Sequence, residues 1–423
     1  GQDIESAPVV TQFEMGGVES LGLLKMDFLG LRNLDVISDT VELIKAVRGV
    51  DLDVDHLPLD DEKTFAMLQA GDSIGVFQLE GGPMRALMRS LAPTCFDDVA
   101  ALVALYRPGP MSANMHNDYA DRKNGRKDIA YEHADLEPIL GDTYGLMIYQ
   151  ESVMRVAQSI AGYSLAEADN LRKACGKKNR ELIAKEREKF IEGCTNEGYG
   201  PELGTTLFDI IEPFADYAFN KSHAYGYGLV AYQTAYLKAH YPVEYLAALL
   251  TSVKTSLEKA AVYLNECRQI GVPVLVPDVN VSQSNFTALV DRTAPPVEEG
   301  GDPVPLPDAI PFGLSAIRNV GEGLVGLIIE EREANGPYTD FYDFCERVDT
   351  AVLNKRTIES LIKAGAFDSM GHPRKGLLTV FERIVDITVA RRRERDMGVM
   401  TLFGDAADTG GGGFDERPKI PDL

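Results

Sequence analysis

"QESVMRVAQSIAGYSLAEADNLRKACGKK", residues 150–178, decides the fold class. It reads as two helices separated by a short loop, with Ser164 followed three residues later by Glu167. That spacing marks a helix N-terminus, because each side chain can satisfy the other residue's free backbone N–H. The same texture of helices and short loops runs from Leu34 to about Ala260. In "LDVISDTVELIKAVRG" the spacing puts Val36, Ile37, Thr40, Val41, Ile44 and Val47 along one side of a helix. "DDVAALVALY" and "YGLVAYQTAYLKAHY" read the same way, and "YRPGPM" reads as a rigid turn or loop set by its two prolines. The class expected is mainly α with a few short strands (α+β).

The quoted stretch ends in the most basic part of the chain. Between Arg172 and Lys189 stand eight Lys and Arg against three Glu, in a protein whose net charge is −23. Arg172, Lys173, Lys177 and Lys178 crowd around Gly176, an arrangement suited to phosphate groups at a helix end. The plainer reading, a solvated helix face laced with i,i+4 pairs, suits residues 180–189 better.

Toward the N-terminus lies "LLKMDFLGLRNL", Leu23 to Leu34, which alternates like a strand. Lys25 and Asp27 would then share one face while Leu24, Met26 and Phe28 enter a core. A cation and a carboxylate aimed off a strand suit a site, although a surface edge strand has the same pattern. Toward the C-terminus, "FNKSHAYGYG" sets Asn220, Lys221, Ser222 and His223 at the entry of an aromatic helix containing Tyr225, Tyr227 and Tyr232. Polar donors beside stacking rings suit a base and its phosphates, although a single His at a helix start is more often a cap.

From Gly271 the texture changes to "VPVLVPDVNVSQSNFTALV", read as short strands, and then to the Pro, Gly and acid-rich residues 291–310, read as a hairpin tip or insert. "GLSAIRNVGEGLVGLIIEERE", residues 313–333, reads as helix, hairpin at Val320-Gly321-Glu322-Gly323, and helix. Such a turn exposes backbone N–H groups that can hold a DNA phosphate without reading sequence. It resembles a helix-hairpin-helix element, and "RTIESLIKAGAFDSMG" resembles a degenerate second copy.

The bulk numbers bound these readings. A chain of 423 residues is too long for one ordinary core. The acidic balance excludes nucleic-acid binding through the overall field and leaves it to local patches. Five dispersed cysteines without a CxxC pair fit a reducing cytoplasm. The six histidines show no metal-ligand spacing, and no Walker A loop, HExxH or GxSxG motif occurs. Apolar runs are too short for a membrane span. Gly1 follows no Met, so the chain is expected to begin inside a longer protein.

The order of these pieces carries more than any one of them. "LLKMDFLGLRNL", "IGVFQLEGGPMRALM", "ALYRPGPM", "DRKNGR", the 150–178 stretch, "FNKSHAYGYGLVAYQTAYLKAHYP" and "IPFGLSAIRNVGEG" occur in sequence. Together they resemble the bacterial replicative DNA polymerase III alpha subunit family, the C-family polymerases, over nearly all of residues 15–405. The resemblance implies a multi-domain polymerase fragment: residues 1–34 the end of the palm, 35–250 helical fingers, and 251–405 a clamp-binding domain with helix-hairpin-helix at about 310–370. Residues 406–423 are expected to be a disordered tail.

It also implies roles. Asp27 matches the third of three catalytic aspartates that hold two Mg²⁺ ions, and Lys25 a lysine near the nucleotide phosphates. Arg172 and Lys173 match a paired-cation position facing the dNTP, Lys177 and Lys178 continue the same basic segment, and Asn220, Lys221, Ser222 and His223 match the fingers helix beside the nucleotide. Val320, Gly321 and Gly323 would meet DNA, and Leu402 and Phe403 a sliding clamp. Template-primer DNA, dNTP and other replicase subunits are the remaining partners implied, in the bacterial cytoplasm.

The chain departs from the family in two ways. Lys173 replaces the commoner arginine and so loses bidentate geometry. Val399 stands where the clamp motif has a Gln. In the family the other two aspartates come from a D-x-D pair that lies upstream of the part this chain matches, so the chain alone is expected to be inactive. A non-catalytic DNA-binding and clamp-tethering module is the rival reading, and a repair factor would explain only residues 310–370.

Overall fold

The computed structural model describes residues 9–24, 26, 30–176, 180–214, 218–294, 304–396 and 418–423. Among these the chain is mainly helical, with strands of two residues each. Helix Arg32–Arg48 buries Val36, Ile37, Thr40 and Ile44, the side its spacing predicts. It lies against helix Pro242–Ser252, which is buried almost from end to end. Helix Lys221–His240 runs through this body and packs on helices Phe96–Leu105 and Glu62–Ala70. Its Gly228 lets one crossing close: a Cβ there would sit 3.2 Å from the Cα of Ala100, so a larger side chain would push the helices apart.

A second group of helices surrounds the quoted stretch. Gln150–Ala161, Leu165–Gly176, Arg180–Asn196 and Gly200–Phe214 share a core built on Val156, Ile160, Leu171, Phe190, Leu207 and Phe208. A third core gathers Val325, Phe341, Phe344, Ile358, Leu361 and Phe367 from helices Glu322–Asn335, Phe341–Arg347 and Lys355–Ala364. Arg48 links the first body to the segment leading into the third. Its guanidinium bonds the fully buried carboxylate of Glu244 and, at 2.9 Å, that of Asp308. No helix of the described residues is long and apolar enough to cross a membrane.

Several expectations need correction. "LLKMDFLG" forms no strand among its described residues, and Leu24 and Met26 are 84% and 66% exposed rather than in a core. A single strand has no stability without a neighbour, and no described segment pairs with it. Lys25, Asp27 and Phe28 lie outside the described residues. "YRPGPM" is not a loop but opens helix Pro108–Ser112, with proline at the position where a missing N–H costs nothing.

The β-branched run after Gly271 contributes only Val274–Leu275, paired in parallel with Ile310–Pro311. Thr293–Ala294 and Val304–Pro305 pair antiparallel, as a hairpin requires.

The end of the chain also differs from the disordered tail expected. Residues 418–423 dock on helix Arg374–Asp396: Ile420 is 93% buried in the third core, and Pro418 carbonyl accepts a 2.7 Å bond from Tyr342 Oη. Gly376 makes room, since a Cβ there would lie 2.0 Å from the Pro421 carbonyl oxygen. One buried isoleucine flanked by two prolines, which lose little entropy on ordering, is enough to hold the segment.

Candidate functional site

The capping box fixes the basic segment. Glu167 N donates to Ser164 Oγ at 3.3 Å, while Ser164 N and Oγ donate to Glu167 Oε2 at 2.8 and 2.7 Å. Lys189, on the next helix, donates to Glu167 Oε1 at 2.9 Å. Bonds from Ser164 and Lys189 hold the Glu167 carboxyl down at about 2.

The register set this way puts Asp169, Arg172 and Lys173 on one face. Arg172 Nε and Nη2 reach Asp169 Oδ1 at 2.9 and 2.8 Å, and Lys173 Nζ reaches Oδ2 at 2.7 Å. These bonds, Lys173's first, keep the Asp169 carboxyl below its usual range. Lys177 and Lys178 lie outside the described residues. Arg187 pairs with Asp209 and Glu212 across helices, as Lys189 does with Glu167, so these pairs are tertiary.

Asn220 to His223 open helix Lys221–His240 just after Phe219, whose backbone pairs with Tyr149. Asn220 Oδ1 caps the helix by accepting from His223 N at 2.8 Å. Glu151, in the first turn of Gln150–Ala161, accepts from Asn220 Nδ2 and Lys221 N, both at 2.9 Å. Lys221 Nζ donates to Asp142 Oδ2 at 2.9 Å and stands 5.3 and 5.5 Å from the ring centres of Tyr149 and Tyr225. Ser222 and His223 are exposed, and the His223 ring neighbours Phe219 and Tyr227 at 5.3 and 4.3 Å between centroids. The Tyr225 hydroxyl donates to Asp97; burial, then this carboxylate, pushes the phenol pKa up. Tyr232 is not a stacking ring of this site: it is fully buried, and its hydroxyl donates to Pro58 carbonyl at 2.6 Å.

Sequence reasoning missed two features here. The Arg107 guanidinium lies 4.2 Å from the centre of the Phe219 ring, with its pKa lowered by burial. Its signal was the following Pro108, which confines Arg107 to extended backbone and so aims its side chain. The other is the set of carboxylates, Asp142, Glu151 and Asp169, that meets the cationic and amide groups.

The hairpin is more compact than expected. A 3₁₀ turn, Leu314–Ala316, replaces the first helix, and Gly321 caps helix Glu322–Asn335, so Glu322 and Gly323 lie inside it. Asn319, left-handed at φ 68°, is held from the second copy: its carbonyl accepts from Thr357 Oγ1 at 3.0 Å and its amide donates to Ser360 Oγ at 3.1 Å. Val320 is buried. A Cβ added at Gly321 or Gly323 would meet nothing within 4 Å, and φ −81° at Gly321 is open to any residue. The fold itself therefore does not require glycine at either position. Leu402 and Phe403 lie outside the described residues.

Comparison with known proteins agrees with this architecture. Residues 33–198 match the family model described as bacterial DNA polymerase III alpha subunit finger domain, and residues 271–377 match the helix-hairpin-helix motif. DNA polymerase III subunit alpha of Mycobacterium tuberculosis is 50% identical over 99% of this chain and 34% of its own length. The Thermus aquaticus protein of that name is 46% identical over 96% of this chain and 32% of its own, and the Escherichia coli one 41% identical over 96% and 34%. The chain thus spans about a third of the length of the curated relatives it matches. Both family models, with relatives 41% to 50% identical over nearly all of its residues, show that the chain belongs to the family of bacterial DNA polymerase III alpha subunits.

Proposed function

We propose that this chain forms the end of the palm, the fingers and the clamp-binding region of a DNA-directed DNA polymerase, which transfers nucleotides from dNTP to a primer 3′-hydroxyl. The observation that carries the reading is the cluster at the start of helix Lys221–His240. Lys221 and the Asn220 amide stand there beside Tyr149 and Tyr225, and an exposed His223 stands against Phe219. Cations and rings together can receive a triphosphate and its base. Arg172 and Lys173 supply the second cationic pair. Arg172→Ala in the intact polymerase is expected to raise the KM for dNTP about tenfold, the lower range for a lost charge-assisted bond. Steady-state primer extension measures it; a change in DNA affinity alone would reassign Arg172 to the duplex.

Two Mg²⁺ ions in the intact enzyme would lower the barrier by activating the 3′-hydroxyl and stabilising the leaving pyrophosphate. Among the described residues no group of His, Cys, Asp and Glu is placed to hold a metal. Asp97, Asp142 and Glu151 are engaged by Tyr225, Lys221 and Asn220. The reading therefore gives this chain one ligand, Asp27, a hard oxygen donor suited to Mg²⁺. Lys25 would face the nucleotide phosphates. The rival, a DNA-binding and clamp-tethering module without catalysis, shares every feature except the need for a D-x-D pair elsewhere in the polypeptide.

The hairpin is the proposed DNA contact. Because Gly321 and Gly323 have open space where a side chain would go, a Gly321→Val, Gly323→Val variant should fold and keep phosphates away from the helix start. A loss of about tenfold in affinity for duplex DNA at low salt is expected, without sequence preference. Unchanged affinity of the folded variant would leave the turn a structural one. Leu402 and Phe403 are proposed to dock a sliding clamp, weakly because Val399 lacks the hydrogen bonds of Gln. Other replicase subunits and a cytoplasmic location complete the proposal.

A further inference from the structure

We propose that Asp169 and Asp142 are built-in place-holders for the phosphate ligand, occupying the cations of the nucleotide site until a more highly charged anion displaces them. This rests on the polymerase reading above and names the partners that reading left out.

The geometry points this way because Arg172, Lys173 and Lys221 each already hold a carboxylate oxygen. Asp169 divides its two oxygens, one for Arg172 and the other for Lys173. Asp142 takes the Lys221 ammonium from a different part of the chain, next to Tyr149 and Tyr225. Arg172, Lys173 and Lys221 retain 32%, 56% and 32% of their side-chain exposure, so water and ligand reach all three. A carboxylate presents the same planar pair of acceptor oxygens that Arg recognises on a phosphate.

Two consequences follow for the ligand. Long cationic side chains are kept in few rotamers before it arrives, which lowers the ordering cost on binding. The same pairing also filters by charge. A ligand must exchange carboxylate contacts for its own, so a weakly charged anion gains little, whereas a triphosphate presents more charge than the carboxylate it replaces at either place. The pairs are solvent-exposed and therefore weak enough to be exchanged. The site would thus favour nucleoside triphosphates over monophosphates before any other part of the polymerase takes part.

The test is titration of the 423-residue chain with inorganic triphosphate by calorimetry at low salt. Two exposed helix pairs are together worth about two- to fivefold in an equilibrium constant. Asp169→Asn, which keeps the shape and removes the charge, is expected to tighten binding by that factor, and Asp142→Asn to tighten it by somewhat less. Asp169→Glu, which restores the charge, should bind like the wild type. Arg172→Ala should weaken binding in every background.

Equal or weaker binding by Asp169→Asn, with Arg172→Ala still weakening it, would overturn the inference and assign the pairs to helix stability. A thermal melt that falls in Asp169→Asn without a gain in affinity would do the same. If Arg172→Ala leaves the affinity unchanged, the phosphate site itself is misplaced, and the inference goes with it.

Discussion

Asp27→Asn, built into an intact alpha subunit carrying this chain, is expected to slow primer extension by about a thousandfold or more, roughly 4 kcal/mol of barrier. The substitution keeps the shape of the side chain and removes the negative charge by which a carboxylate holds Mg²⁺. Affinity for template-primer should stay within about twofold, because the DNA contacts proposed at Val320, Gly321 and Gly323 are made by backbone N–H groups and need no metal-bound carboxylate. Single-turnover extension at saturating dNTP separates the two effects. Activity within about tenfold of wild type would remove Asp27 from the mechanism.

The second large effect concerns stability. Arg48→Ala is expected to cost about 3 kcal/mol, the lower range for breaking a buried ion pair, since Arg48 keeps 29% of its side-chain surface in water. Glu244 is fully buried, Arg48 bonds its Oε1, and its Oε2 has no hydrogen-bond partner. Removing the guanidinium would leave a buried charge with nothing to offset its lost hydration. It would also release Asp308, loosening the approach to Ile310–Pro311. Urea unfolding of the chain measures the loss. A double variant, Arg48→Ala with Glu244→Leu, should recover much of it, because an apolar side chain has no hydration to lose. A single-variant cost below about 1 kcal/mol would show that the pair is not needed to keep Glu244 buried.

What the sequence disclosed was local. Helix Arg32–Arg48 followed from the spacing of Val36, Ile37, Thr40 and Ile44, which are the residues it buries. The start of Leu165–Gly176 followed from Ser164 and Glu167, whose mutual bonds need no tertiary information. Arg172 and Lys173 as neighbours on one helix were legible for the same reason, whereas the cap expected of His223 is made by Asn220.

What stayed hidden depends on distant partners. Asp142 meets Lys221 from 79 positions away, and Arg107 meets Phe219 although several helices separate them along the chain. Alternation in "LLKMDFLG" promised a strand, but alternation says nothing about whether a neighbouring strand exists. Tyr232 and Tyr225 look equivalent in sequence, yet one fills the core and the other borders the site, a difference set by how the helix is rotated against its neighbours. The resemblance of ordered motifs reached further than either propensity or spacing, because it carried the tertiary arrangement with it.

The docking of residues 418–423 beside Gly376 works as a latch on the third core. Ile420 joins the cluster that holds Phe341 and Phe367, and the Pro418 carbonyl holds Tyr342 Oη. Gly376 is the keyhole, since any side chain there would meet the Pro421 carbonyl oxygen. Closing that keyhole would lift the latch and open apolar surface of the third core to water, so a change at one glycine would be felt by aromatic residues more than thirty positions earlier in the chain.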